Sequence, residues 1–270
     1  MIGLAIGAGC SGSSVVQSGS SAGSIAGDSV TTAGAAAVRT APVVAAVSVG
    51  EMPHDPKAFT EGLVILDGTL YEGTGLQQHS EIRRVELATG AVLDHLALPD
   101  DQFGEGIAAI DDRLVQLTWK SGIGHVRDRS TLIETSTFRY DGEGWGLALA
   151  GDRLVMSDGT PTLRWLDPTT FAETGHLDVH DGTLPVANLN ELEYIDGQIW
   201  ANVWRTPDIA VIDPISGLVV RWIDVSALRP PSTTSDGEAV ANGIAYDPVN
   251  DRVYITGKRW PVMYEIRRPG

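Results

Sequence analysis

From residue 43 onward, short apolar or alternating runs are broken by Asp-Gly, Gly-Asp and Asp-Pro turns. No stretch sustains the recurrence of an amphipathic helix. Strands between frequent turns predict an all-β domain of sandwich, barrel or propeller type, and internal repetition separates the three. An apolar residue, a turn near Asp or Gly and an apolar pair recur five times, with turn-exit residues Leu70, Leu114, Leu154, Ile199 and Val253. Their separations are 44, 40, 45 and 54 residues. Repeats in the forties suit a four-stranded propeller blade, and residues 43–270 shared over five repeats give about 46 each. The pattern predicts a five-bladed β-propeller spanning 43–270.

The runs that enter the turns begin Phe59-Thr-Glu-Gly-Leu63, Phe103-Gly-Glu-Gly-Ile107, Glu143-Gly-Trp-Gly-Leu147, Leu189-Asn-Glu-Leu192 and Ala241-Asn-Gly-Ile244. Alignment on the turns puts Glu61, Glu105, Trp145, Asn190 and Asn242 at one equivalent position. The runs that leave carry Gly75, Trp119, Gly159, Trp204 and Lys258 at another. The two sets mirror each other about Gly68, Asp112, Asp152, Gly197 and Asn250, so they are expected to sit side by side in antiparallel hairpins. If these hairpins are the inner strands, both sets meet at one mouth of the central channel. Packing is the competing explanation. Glycine allows close approach at a crowded axis, tryptophan commonly fills propeller cores (the expected place of Trp165, Trp200 and Trp222), and a single lysine is usually solvated. Polar and aromatic residues at related positions in every repeat fit packing poorly and point to a pocket.

Composition narrows the function. Hydrophobic residues make up 43% and charged residues 20%, as in ordinary globular proteins. Nineteen basic against 35 acidic residues give a net charge of −16, which argues against a nucleic-acid partner. The six histidines show no metal-binding spacing, and neither a nucleophile elbow nor a phosphate-binding loop occurs, so neither metal nor cofactor is expected. Glu191 and Glu193 alternate with apolar residues and suit a structural role as well as a functional one. Asp167 and Asp213 open strand connectors. No run is long enough to cross a bilayer as a helix.

The amino terminus reads differently. Residues 1–9 are small and apolar, and the single cysteine, Cys10, precedes Ser-Gly-Ser-Ser. Residues 1–10 therefore read as a truncated lipoprotein signal without its basic region. Export is expected, to the periplasm, the exterior or the cell envelope, with a possible membrane tether through lipidated Cys10. Residues 11–42, rich in Ser, Gly, Ala and Thr, read as a flexible linker. A monomer is the expected state.

Ten segments in order then carry a resemblance. They are Phe59-Thr-Glu-Gly-Leu, Tyr71-Glu-Gly-Thr-Gly, Phe103-Gly-Glu-Gly, Gln116-Leu-Thr-Trp119, Glu143-Gly-Trp-Gly, Ser157-Asp-Gly-Thr160, Leu189-Asn-Glu-Leu-Glu-Tyr194, Ala201-Asn-Val-Trp204, Asn242-Gly-Ile-Ala-Tyr-Asp247 and Thr256-Gly-Lys-Arg-Trp-Pro261. Over roughly residues 50–266 the chain resembles the plant- and bacterial-type glutaminyl-peptide cyclotransferases. The resemblance implies a five-bladed propeller that converts N-terminal glutamine of peptides or proteins to pyroglutamate with release of ammonia. It implies Glu105 as the acid–base residue, with Phe59, Phe103, Trp119, Trp145, Asn190, Trp204 and Lys258 lining the pocket. Glu61 stands where that family usually has glutamine. Two carboxyls at one mouth resist joint ionisation, and Glu61 is the one expected to hold the proton, as a neutral substitute for the amide. Two other readings stay open: a calcium-dependent propeller lactonase or hydrolase, and a non-catalytic propeller that binds peptides or sugars.

Overall fold

The computed structural model describes residues 39–269; Cys10 and residues 11–38 lie outside them. The described chain is all-β, interrupted by two short 3₁₀ turns, Ser226–Leu228 and Pro231–Thr233. Five sheets form the blades of a propeller. Blade 1 runs Thr60–Leu66, Thr69–Thr74, Glu81–Glu86 and Ala91–Ala97; blade 2 runs Gly104–Ile110, Arg113–Thr118, Ile123–Asp128 and Glu134–Arg139. Blade 3 runs Leu147–Ala150, Arg153–Met156, Thr162–Leu166 and Glu173–Asp178. Blade 4 runs Leu189–Ile195, Gln198–Val203, Asp208–Ile212 and Val219–Asp224, and gains Val43–Ala45 as a parallel edge strand. Blade 5 takes only Ala241–Asp247, Arg252–Gly257 and Val262–Ile266 from the end of the chain. Its outer strand is Ser48–Pro53, paired antiparallel to Val262–Ile266. The two ends of the domain thus share one sheet and close the ring.

Five apolar layers, each between consecutive blades, explain why the inner strands are apolar on both faces. Ile107, Ala109 and Leu114 pack toward blade 1 while Ala108, Val115 and Leu117 pack toward blade 3. Likewise Ile199 and Ala201 face blade 3, and Trp200 faces blade 5. Alternation sends successive side chains to opposite neighbours, so Gly104–Ile110 is buried throughout whereas the outer Glu134–Arg139 is mostly exposed. Trp165, Trp200 and Trp222 lie in these layers. Asp128, Asp167 and Asp213 hold equivalent outer connectors, each accepting two backbone N–H bonds and one or more hydroxyl bonds from the next three residues. Arg39, Thr40 and Ala41, read as the end of the linker, are bonded to Asp208 and Asp181 beside blade 4.

The inner hairpins have a different register from the mirror prediction. Their turns are centred between two residues, as in Leu66 opposite Thr69, and a β-bulge then shifts the pairing once more between Thr60 and Gly62. Gly75 is therefore bonded to Phe59, Trp119 to Phe103, Trp204 to Asn188 and Lys258 to Val240. The predicted partners, Glu61, Glu105, Asn190 and Asn242, sit two residues further along, inside the bulges.

Candidate active site

The bulges build the site. Each adds a residue to the innermost strand of blades 1, 2, 4 and 5, and a bulge re-aims a side chain out of strict alternation. Glu61, Glu105 and Asn190 reach the pocket by this device. In blade 3 the strand starts only at Leu147, and Trp145 is held instead by its N–H to the Ser157 carbonyl and its carbonyl to the Gly106 N–H. A Cβ on Gly146 would collide with the Asn190 carbonyl oxygen, so only glycine lets blades 3 and 4 approach here.

One cavity of about 210 Å³ is lined by Phe59, Glu61, Phe103, Glu105, Trp119, Trp145, Asn190, Trp204, Glu238 and Lys258. All nine residues singled out in the sequence meet there. Two of the aligned positions are glycines, and their absent side chains are the room the aromatics use. A Cβ on Gly75 would strike the Phe103 ring and crowd Glu61, and one on Gly159 would strike the Trp145 indole. Three edge-on contacts order the walls: Phe59 with Phe103 at 6.1 Å, Phe103 with Trp119 at 5.7 Å, and Trp145 with Trp204 at 5.6 Å.

The floor is polar and buried. Lys258 Nζ donates to Glu61 Oε1 at 2.7 Å, and Asn242 Nδ2 donates to Glu61 Oε2 at 3.1 Å and to the Thr60 carbonyl at 2.9 Å. Burial pushes the Glu61 acid up, Lys258 opposes that, and the balance leaves it at about 6. Glu105 is hydrogen-bonded to Glu61 and is pushed well above the usual carboxylate range, first by burial and then by the Glu61 charge; Lys258 opposes and Glu143 adds. Of the two acids that of Glu105 is therefore raised further, and Glu61 is the one its donors hold toward the carboxylate. This ordering runs against the assignment expected for Glu61, although its own acid is also raised. An ammonium and an amide N–H both aim at Glu61, and such donors stabilise a carboxylate rather than an acid.

Three residues at the site escaped the reading of the sequence as site residues. Asn242 was aligned with the others but faces the floor of the pocket, fully buried behind Glu61. Glu143 accepts from the indole N–H of Trp119 at 2.6 Å and of Trp145 at 3.0 Å. Glu238 lies on the connector into blade 5, bonded to Arg205, whose guanidinium sits 4.4 Å from the Trp204 ring centre. The repeat could have flagged Asn242 and also Glu143, which opens the third run at the position of Phe59 and Phe103; Glu238 lies on a connector outside it. Glu191 and Glu193 turn away from this cavity. Glu191 takes N–H bonds from Leu63 and Ile244, and Glu193 from Tyr194 and Tyr246, so they tie blade 4 to blades 1 and 5.

Comparison with known proteins agrees with this geometry. The profile of the family described as glutamine cyclotransferase matches residues 22–268. The chain belongs to the glutamine cyclotransferase family. It is 41% identical over 223 residues to a glutaminyl-peptide cyclotransferase of Arabidopsis thaliana, across 81% of this chain and 70% of the relative. A crystal structure of Myxococcus xanthus glutaminyl cyclase superposes with a TM-score of 0.80 at 38% identity, covering 84% of this chain and 97% of that one.

Proposed function

We propose that this propeller is a glutaminyl-peptide cyclotransferase that closes N-terminal glutamine of peptides or proteins to pyroglutamate and releases ammonia. The observation that carries the reading is a buried Glu105 beside Glu61 at the floor of an aromatic-walled cavity, in a chain of this family. The cavity is smaller than the roughly 300 Å³ at which sites for drug-sized ligands begin, which suits one terminal residue with the rest of the peptide outside.

The reaction needs no enzyme nucleophile, because the substrate's α-amine attacks its own γ-carboxamide carbon. The aromatic walls favour the folded conformer in which the two approach, and such positioning supplies a large part of catalysis. A C–N bond forms as the carbonyl becomes an oxyanion; Asn190 and the free N–H bonds of Lys258 supply donors for it. The departing nitrogen must gain one proton and the new ring nitrogen must lose one. Glu105 enters as the acid, protonates the leaving nitrogen, and as carboxylate recovers the proton from the ring nitrogen. Collapse of the oxyanion then expels ammonia. Glu61, ionised beside it, keeps the proton on Glu105.

Ammonia release from a Gln-initiated peptide, with and without a chelator, tests the reading. Chelator-resistant cyclisation is expected. Activity on lactones alone, abolished by calcium removal, would favour a lactonase; tight peptide or sugar binding without turnover would favour a binding propeller. The export reading is part of the same proposal, with Cys10 as the lipid attachment point and a monomer as the working state.

A further inference from the structure

The aromatics of the wall fall into two groups. Phe59, Phe103 and Trp119 touch in series, and Trp145 touches Trp204. Between Trp119 of blade 2 and Trp145 of blade 3 the link is Glu143, on the connector between those blades. One of its oxygens, Oε2, accepts both indole N–H groups, at 2.6 and 3.0 Å. The other oxygen lies 3.6 Å from Lys120 Nζ, which in turn sits 3.8 Å from the Trp119 ring centre. We propose that Glu143 is a positioning residue for the cyclisation: it joins two separate aromatic walls into one continuous belt and turns both indole N–H groups away from the substrate.

Chemistry supports the assignment. Indole nitrogen donates and never accepts, so two tryptophans cannot bond to each other and need a shared acceptor. A carboxylate provides charge-assisted bonds, which are shorter and stronger than neutral ones. Burial pushes the Glu143 acid up, but the donors from Trp145, Trp119 and Lys120 outweigh it and leave it below its ordinary value, so the acceptor persists at neutral pH. The alternative is a surface ion pair with Lys120. At 3.6 Å, with side chains 60% and 36% exposed, such a pair contributes little and leaves the two indole bonds unexplained.

Glu143 has a second, separable effect, because its charge adds to that of Glu61 in raising the Glu105 acid, against Lys258. Tyr140 also faces Glu105, as a neutral phenol whose own acid is raised, mainly by burial. Lys120 is the cation nearest Glu143. Three variants divide the two effects. Glu143→Gln keeps an acceptor and loses the charge; Glu143→Asp keeps the charge but is one methylene too short; Glu143→Ala loses both.

The inference rests on the cyclotransferase reading, so the closing experiment pairs kinetics with a measurement independent of turnover. Near-UV circular dichroism of the free protein reports tryptophan packing, and kcat/KM with the pH–rate profile reports function. We expect Glu143→Ala and Glu143→Asp to lose roughly tenfold or more in kcat/KM, the scale of one charge-assisted bond, and to lose near-UV signal. Glu143→Gln should stay within about threefold of the parent and keep the signal. The alkaline limb should move to lower pH in the Gln and Ala variants and stay in place in the Asp variant. An Ala variant with parental kcat/KM and spectrum overturns the proposal, as does a Gln variant as impaired as Ala. Should Ala fail to fold, the Asp–Gln contrast decides alone. Absence of cyclisation in the parent protein would sink the cyclotransferase reading, while the spectra would still test the belt.

Discussion

At the scale of single residues, the floor of the pocket turns on which carboxyl holds the proton. Glu61 faces Lys258 and Asn242, and Glu105 faces Glu61. The acid form of Glu105 is lost as pH rises through its raised pKa, so that loss forms the alkaline limb of the rate profile. The acid limb arises from protonation of the substrate amine, near 8 when unperturbed, and of Glu61 at about 6. Glu61→Gln removes the charge that raises Glu105 and leaves Lys258 without its anion. Both changes lower the Glu105 pKa, so the alkaline limb should move to lower pH while activity persists near neutrality. A pH–rate series on the two proteins checks the sign; an unmoved limb would break the link between the carboxyls. Glu105→Gln keeps the shape but removes the proton, and kcat should fall by at least the ~10²-fold typical of acid–base loss. Steady-state kinetics should show KM changing much less. The glutamate at 61 was legible in the sequence, but its ionisation was not, because that depends on donors 181 and 197 residues away.

At the scale of elements, the inner hairpins carry both the repeat and its exceptions. The period located the strands, whereas the turn centres and the bulges, which decide what each strand aims at the axis, together changed the register by two residues. Period counting passes over such insertions because the apolar pattern continues on either side. Closure of the ring depends on an element far from its sheet in sequence. Just after the outer strand Ser48–Pro53, His54 is buried, with Nε2 3.0 Å from Glu72 Oε1 of blade 1 and Nδ1 2.6 Å from the Trp260 carbonyl of blade 5. Both partners are acceptors, so the geometry favours the form in which both ring nitrogens donate, the imidazolium. Burial pushes its pKa down, but Glu72, the Trp260 carbonyl and Asp55 outweigh that and raise it above 6.5. The unfolded value is about 6.5. The stabilisation is therefore complete below that pH and is lost as pH rises through the raised folded pKa. Loss of a hydrogen bond to a charged group costs ~1.5–3 kcal/mol, or roughly 3–12 °C in Tm for a domain of this size. Thermal unfolding of His54→Gln should show that drop at pH 6 and a smaller difference from the parent at alkaline pH. A difference independent of pH would mean that His54 is not the titrating latch.

For the whole molecule, five blades around an axis place residues from every quarter of the chain in one small cavity. The net charge of −16 leaves the local chemistry of the floor unchanged, because Lys258 sits within 2.7 Å of Glu61 and short contacts in a buried site outweigh distant screened charges. Attachment to a membrane is the prediction that belongs to the full chain. With a lipoprotein signal region fused ahead of Cys10 in a bacterial host, the protein should partition with membranes and its processing should be blocked by a lipoprotein signal-peptidase inhibitor. Cys10→Ser should abolish both, and a Ser variant still found with membranes would remove Cys10 from that role.

The sequence by itself determined the all-β class, the number of blades, the family and the nine residues that meet in the cavity. Each of these is written in local order: strand period, turn residues and short motifs survive without knowledge of what lies opposite. Only the tertiary structure decided how those residues work together. The bulges at Glu61, Glu105, Asn190 and Asn242 and the Glu143 bridge between two blades depend on how strands and blades pair, and the donors that favour the Glu61 carboxylate come from residues 181 and 197 positions away. Burial and hydrogen-bond geometry set them, and both exist only once the ring has closed.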